Sequence, residues 1–71
     1  MYQIKITGEK LKAEFYLKNI LSKNDKLIDF NMTTGKGQIF ETRKEAEKTI
    51  KIMKKLNKPH VYSVMKIGDM E

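Results

Sequence analysis

The hydrophobic period of this chain changes at Thr42 and changes back after Pro59, and that single helical interruption fixes the kinds of fold open to it. Upstream, apolar residues recur at every second position. From Thr42 onward they recur at helical spacing, and after Pro59 the period of two returns. Thr42-Arg43-Lys44-Glu45 is a Thr-x-x-Glu capping box, in which each side chain is expected to satisfy the free backbone amide of the other residue. Ala46, Thr49, Ile50, Met53 and Leu56 then share one helical face, with Ile52 on its margin. Asn57 and Pro59 end the pattern, because proline disfavours a helical conformation in the residue before it. The reading predicts a helix from Thr42 to about Asn57 with Ala46, Ile50 and Met53 buried.

The flanking segments read as strands. Tyr2, Ile4 and Ile6 alternate with Gln3, Lys5 and Thr7 up to Gly8. The stretch from Leu11 to Leu21 fits two periods. As a strand it turns Leu11, Ala13, Phe15 and Leu17 inward and Tyr16 outward. As a helix it gathers Ala13, Tyr16, Leu17, Ile20 and Leu21 but leaves Leu11 and Phe15 on the wet side. The strand is preferred because it exposes no large apolar side chain. Ser22-Lys23-Asn24-Asp25 is a turn by composition. Ile28, Phe30 and Met32 alternate as a further strand, with Leu27, Asp29 and Asn31 on its other side. Thr33 to Gly37 reads as a flexible tip before a short strand at Gln38-Ile39-Phe40. Val61, Ser63, Met65 and Ile67 alternate with Tyr62, Val64 and Lys66, apolar on both sides, which predicts an interior strand. The expected fold is α+β in a single domain over 1–71, with 68–71 a frayed tail. A small antiparallel β-sheet carries one long capped helix on one face, in the order β-β-β-α-β. A helical 11–21 would make it β-α-β-β-α-β, ferredoxin-like.

Composition narrows the function. A chain of 71 residues has little core in which to enclose a substrate, so an outer face is the expected working surface. The longest apolar runs, such as Phe15-Tyr16-Leu17, are far short of the roughly 18 residues of a membrane span, and charged Lys5, Glu9, Lys10 and Lys12 interrupt any leader-like core. There is no cysteine, hence no disulfide, thiolate metal site or cysteine nucleophile. A cytoplasmic protein without cofactor or metal is expected. The formal net charge is +6, of which the segment Arg43–Lys58 supplies +5. Lys44, Lys48, Lys51, Lys55 and Lys58 form one stripe opposite the apolar helix face. The stripe suits a polyanion, either phosphates or an acidic protein. Its alternative is an ordinary solvated face supported by a Glu47–Lys51 pair. Only one basic residue, Arg43, is arginine, which argues against base-specific DNA readout.

Other candidates carry less. Gly35-Lys36-Gly37 lacks phosphate-loop spacing. Lys36 to Phe40 falls short of the aromatic motif of RNA-recognition domains, since Phe40 alone is aromatic there. His60 has no partner at a catalytic or metal-ligand spacing. Turn and capping roles account for Asp25 and Glu45, and Met53 and Met65 read as core filler. Tyr16, Ile20, Tyr62 and Val64 are expected to form an amphipathic patch for a protein partner if one sheet face is open.

Phe15-Tyr16-Leu17-Lys18-Asn19 and the run Ile39-Phe40-Glu41-Thr42-Arg43-Lys44-Glu45-Ala46-Glu47-Lys48, with the closing Tyr62-to-Ile67 strand, resemble a recurring type of short orphan protein from phages and mobile elements of AT-rich bacteria. Proteins of that type are often modulators of a host enzyme or defence complex, anti-CRISPR proteins among them. The resemblance implies a viral, non-enzymatic inhibitor that binds a host protein or nucleoprotein complex by stoichiometric occupancy. Tyr16, Tyr62 and the five stripe lysines are the partner-binding candidates from the residues themselves. The competing expectation is a non-specific nucleic-acid-binding accessory protein.

Overall fold

A computed structural model describes residues 1–68, so of the tail expected at 68–71 only Gly68 lies within the described residues. Four antiparallel strands form one sheet in the order β3-β2-β1-β4: β1 (Tyr2–Thr7), β2 (Phe15–Lys23), β3 (Lys26–Thr33) and β4 (Val61–Lys66). Helix α1 (Arg43–Met53) and a 3-10 turn (Lys54–Leu56) connect β3 to β4. The order β-β-β-α-β is the expected one. Residues 11–21 are not helical: Leu11 to Glu14 form an irregular turn, and Ala13, expected inside, is exposed. The β2–β3 hairpin closes on Asn24 and Asp25, both at positive φ (53° and 63°), the conformation a two-residue turn needs to match strand twist.

Thr42 caps α1 with an extended backbone, and its hydroxyl oxygen accepts from the Glu45 N–H at 3.2 Å. The second half of the expected box differs, since the Glu45 carboxylate accepts from the Thr42 hydroxyl at 3.1 Å instead of from its amide. Asn57, left-handed at φ 55°, ends the 3-10 turn. Ala46, Ile50 and Met53 are buried as expected. They close a core with Ile4 and Ile6 of β1, Leu17 of β2, Phe30 of β3 and Phe40 from the connection before the helix.

Cross-strand register assigns the faces. Ile4 opposes Val64 and Ile6 opposes both Tyr62 and Phe15, so these side chains lie under α1. Lys5 opposes Tyr16 and Ser63 on the face turned away from it. Two bulges reset this alternation. The extra residue Lys18 in β2 turns Ile20 toward the helix together with Phe30. The extra residue Ile28 in β3 leaves that side chain 56% exposed and turns Leu27 toward the core, the reverse of the alternation read from sequence.

Gln38 to Phe40 is not a full strand. It wedges into the fork where β2 leaves β1: Tyr2 and Phe40 exchange backbone hydrogen bonds at 2.8 Å, and the Gln38 N–H donates to the Leu17 carbonyl at 2.7 Å. Gln3, buried, accepts from the Gly37 N–H at 3.4 Å. Gly37 is therefore clamped, not a loose tip. A Cβ there would stand 2.5 Å from the Leu17 carbonyl oxygen. β4, expected in the interior, is an edge strand. Its apolar residues on the α1 face are covered by the helix, which accounts for half of the pattern that suggested an interior place. Met65, opposite Gln3, sits half-buried on the uncovered face instead of in the core.

Candidate functional site

The three buried contacts of α1 decide where its lysines go. With Ala46, Ile50 and Met53 against the sheet, a rotation of ~100° per residue turns Lys44, Lys48 and Lys51 directly away from it. Lys55 continues that face through the 3-10 turn, and all four are exposed. Among the described residues none of these four has an ion-pair partner. Glu47, expected to pair with Lys51, reaches Arg43 at 3.9 Å. The guanidinium of Arg43 also lies 5.6 Å from the centroid of the Tyr2 ring. Lys44–Lys48, Lys48–Lys51 and Lys51–Lys55 thus remain as like-charge neighbours at spacings that destabilise a helix by a few tenths of a kcal/mol each.

Lys58 leaves the stripe. It follows the left-handed Asn57, and its Nζ sits 3.0 Å from the Asp29 carboxylate and 5.3 Å from the Phe30 ring centroid. Asp29 is held below the usual carboxylate range by that hydrogen bond from Lys58, and next by the Phe30 backbone N–H. Lys58 therefore ties the end of the helical segment to β3 rather than offering a free charge.

The tyrosines do not form a patch. Tyr62, with Ile20 and Val64, lies on the α1 face, its ring edge-on to Phe30 at 6.0 Å and to His60 at 6.4 Å. Its hydroxyl is buried without a hydrogen-bond partner, and that burial raises the phenol pKa. The His60 Nδ1 is likewise buried and unpartnered. Tyr16 is on the opposite face, beside Lys5, which a hydrogen bond and the charge of Glu14 at 2.9 Å hold above its ordinary pKa. The β2 bulge and the parity of β4 separate what looked in sequence like one surface.

A second feature lies at the end of the lysine face. A cleft of about 410 Å³ opens between the β2–β3 hairpin and the 3-10 turn, lined by Leu27, Ile52 and Leu56 with Asp25, Lys26 and Lys55 around them. Lys55 belongs to both cleft and stripe, so an apolar hollow with a largely basic rim continues the lysine face. Sequence reading missed Lys26, Leu27 and Leu56 as surface residues because the β3 bulge, which turns Leu27 toward this side, leaves no periodic mark. The position of Ile52 on the margin of the helical apolar stripe was its one visible signal.

Among the described residues no group of three His, Asp or Glu side chains gathers to hold a metal ion. No described helix is long and apolar enough to cross a membrane. No family model matches the chain, and no match was found among curated proteins or among solved structures.

Proposed function

We propose that this chain is a binding protein that acts by stoichiometric occupancy, laying the lysine face of α1 on an anionic surface of a host protein or nucleoprotein complex. The observation that supports this reading is the continuity of Lys44, Lys48, Lys51 and Lys55, unpaired, with the cleft lined by Leu27, Ile52 and Leu56. Like charges held side by side on one helix cost stability, and an anionic partner recovers it. Phosphates alone have no use for the apolar hollow. An acidic protein surface with a protruding apolar side chain uses both, and such buried anchors concentrate binding energy. Inhibition of the target then titrates to a fixed ratio and does not grow with incubation time, as binding without turnover requires.

The test is capture from host lysate with and without nuclease, comparing wild type with Lys48→Glu/Lys51→Glu/Lys55→Glu and with Ile52→Asp. The expected result is one protein or complex retained after nuclease. The triple variant should lose at least tenfold in affinity, mostly through slower association, and Ile52→Asp should lose affinity through faster release. Unchanged thermal melts show that the variants still fold. Capture that vanishes with nuclease but survives Ile52→Asp favours the second reading, an electrostatic nucleic-acid contact, whose affinity would fall steeply with salt. Equal capture by all three proteins overturns both.

A further inference from the structure

The two outer strands of the sheet are treated differently. β3 carries Lys26, the bulge at Ile28 and Asp29 paired with Lys58, features that discourage another strand from adding to it. β4 has neither bulge nor proline, and Val61-Tyr62-Ser63-Val64-Met65 is uncharged in a chain of net charge +6. The direction of its backbone follows from its neighbour. Tyr2 spends its N–H and C=O on Phe40, on the side of β1 away from β4, while the Ile67 N–H donates to the Met1 carbonyl. Tyr2–Lys66 is thus a non-hydrogen-bonded pair, and by alternation along the antiparallel ladder Val64 and Tyr62 direct their N–H and C=O groups outward. No strand pairs with that edge among the described residues.

We propose that β4 is a dimerisation strand whose occupant is β4 of a second copy of this chain. The sequence of the strand is self-complementary about Ser63. In antiparallel pairing around a twofold axis at Ser63, Tyr62 and Val64 of one copy exchange hydrogen bonds with Val64 and Tyr62 of the other, as their outward groups require. On the uncovered face Val61, 63% exposed, meets Met65 of the second copy, and Ser63 meets Ser63. Every pair from 61 to 65 joins uncharged side chains of the same face, a condition a one-residue slip destroys. The charge distribution also selects this contact, since the edge is where two copies meet without opposing lysines. The result is a continuous eight-stranded sheet with both helices on one side, so both lysine faces point the same way and the basic surface is doubled. A strand-to-strand contact of this length is smaller than a standard interface, so the dimer is expected to be a weak one whose population depends on concentration.

Sedimentation of the full chain across concentration tests this, and the result does not depend on any partner. Wild type should pass from monomer to dimer. Ser63→Lys, which adds a charge at an exposed position, should weaken dimerisation at least tenfold with an unchanged melt. Because the chain has no cysteine, Ser63→Cys should give a disulfide-linked dimer on oxidation, the non-hydrogen-bonded pair at the axis lying at a bridgeable Cα separation of ~4.5 Å. Asn31→Cys on the protected β3 edge should not. A wild type that stays monomeric at every concentration overturns the proposal. So does a dimer that survives Ser63→Lys, or one that cross-links through position 31 and not 63. The lysine-face reading stands or falls separately, on capture.

Discussion

The two faces of this sheet are made from the same four strands, yet one is a core and the other a polar surface. Under α1 lie Ile4, Ile6, Leu17 and Phe30; on the other side lie Lys5, Tyr16, Asn19, Asn31 and Ser63, with Lys5 ion-paired to Glu14 and Asn31 donating to Asn19 at 3.2 Å. Strict alternation would not produce this division, because β2 and β3 each carry an extra residue that changes which side chains face the helix. Face identity here is a property of register, and register is set by bulges and by the wedge of Gln38 to Phe40. A small domain with a single helix can cover only one face, so every apolar side chain sent to the wrong side is lost to the core.

The largest expected effect sharpens this contrast. Ile6, fully buried beneath the helix, should cost about 2–5 kcal/mol when truncated in Ile6→Ala. That is a large share of the stability of a domain this size. Val61, next to it across the sheet edge on the other face, should cost no more than about 0.5 kcal/mol as Val61→Ala. Chemical melts of the two variants at low protein concentration decide it, and comparable losses would mean that the faces are misassigned.

A smaller effect tests the wedge. In Gly37→Ala the new methyl would stand 2.5 Å from the Leu17 carbonyl oxygen and 2.9 Å from the Tyr16 Cβ, so main chain must move in the fork between β1 and β2. A loss of about 1–3 kcal/mol is expected. Gly35→Ala is the control, since its nearest neighbour would be the Thr33 hydroxyl oxygen at 3.6 Å. It should be neutral or slightly stabilising through the unfolded chain. Equal melts for the two variants would show that the fork relaxes freely and that Gly37 does not set the register.

These same elements mark what the sequence could and could not reveal. The helix was legible because Thr42, Asn57 and the spacing of Ala46, Ile50 and Met53 all act within a few residues of one another. So were the strand character and the Asn24–Asp25 turn. The outward lysines followed from the same helical arithmetic, but their freedom from partners did not, since Glu47 pairs with Arg43 and not with Lys51, a choice that spacing alone leaves open. Bulges at Lys18 and Ile28 depend on pairing between distant segments, and no local pattern announces them. The misreading of Leu27 and Ile28 has that origin, and the same kind of bulge moved Ile20 off the expected Tyr16 surface; Tyr62 left it through the pairing of β4 with β1, which sets it opposite Ile6 under the helix. The edge position of β4 is likewise a matter of topology, because a strand with apolar residues on both sides looks interior whether its second neighbour is in the same chain or in another.

The smallest effect concerns Tyr62, the aromatic residue that the register moved from surface to core. Its ring packs on Phe30, while its hydroxyl is buried without a hydrogen-bond partner. A buried polar group without a partner costs its lost hydration, so Tyr62→Phe should keep the packing and gain up to about 1 kcal/mol at neutral pH. The pH dependence has a definite sign. Burial raises the phenol pKa in the folded state, so the unfolded chain gives up this proton first, at about pH 10. Stability supported by the neutral phenol is complete below that pH and is lost as pH rises from there through the folded pKa. Lysines titrate in the same range in both proteins, so the informative quantity is the difference between wild type and variant. That difference should widen in favour of Tyr62→Phe between neutral and strongly alkaline pH. A variant less stable than wild type at neutral pH would mean that the hydroxyl has a partner in solution, and that this side of the sheet is less completely closed by α1 than its register implies.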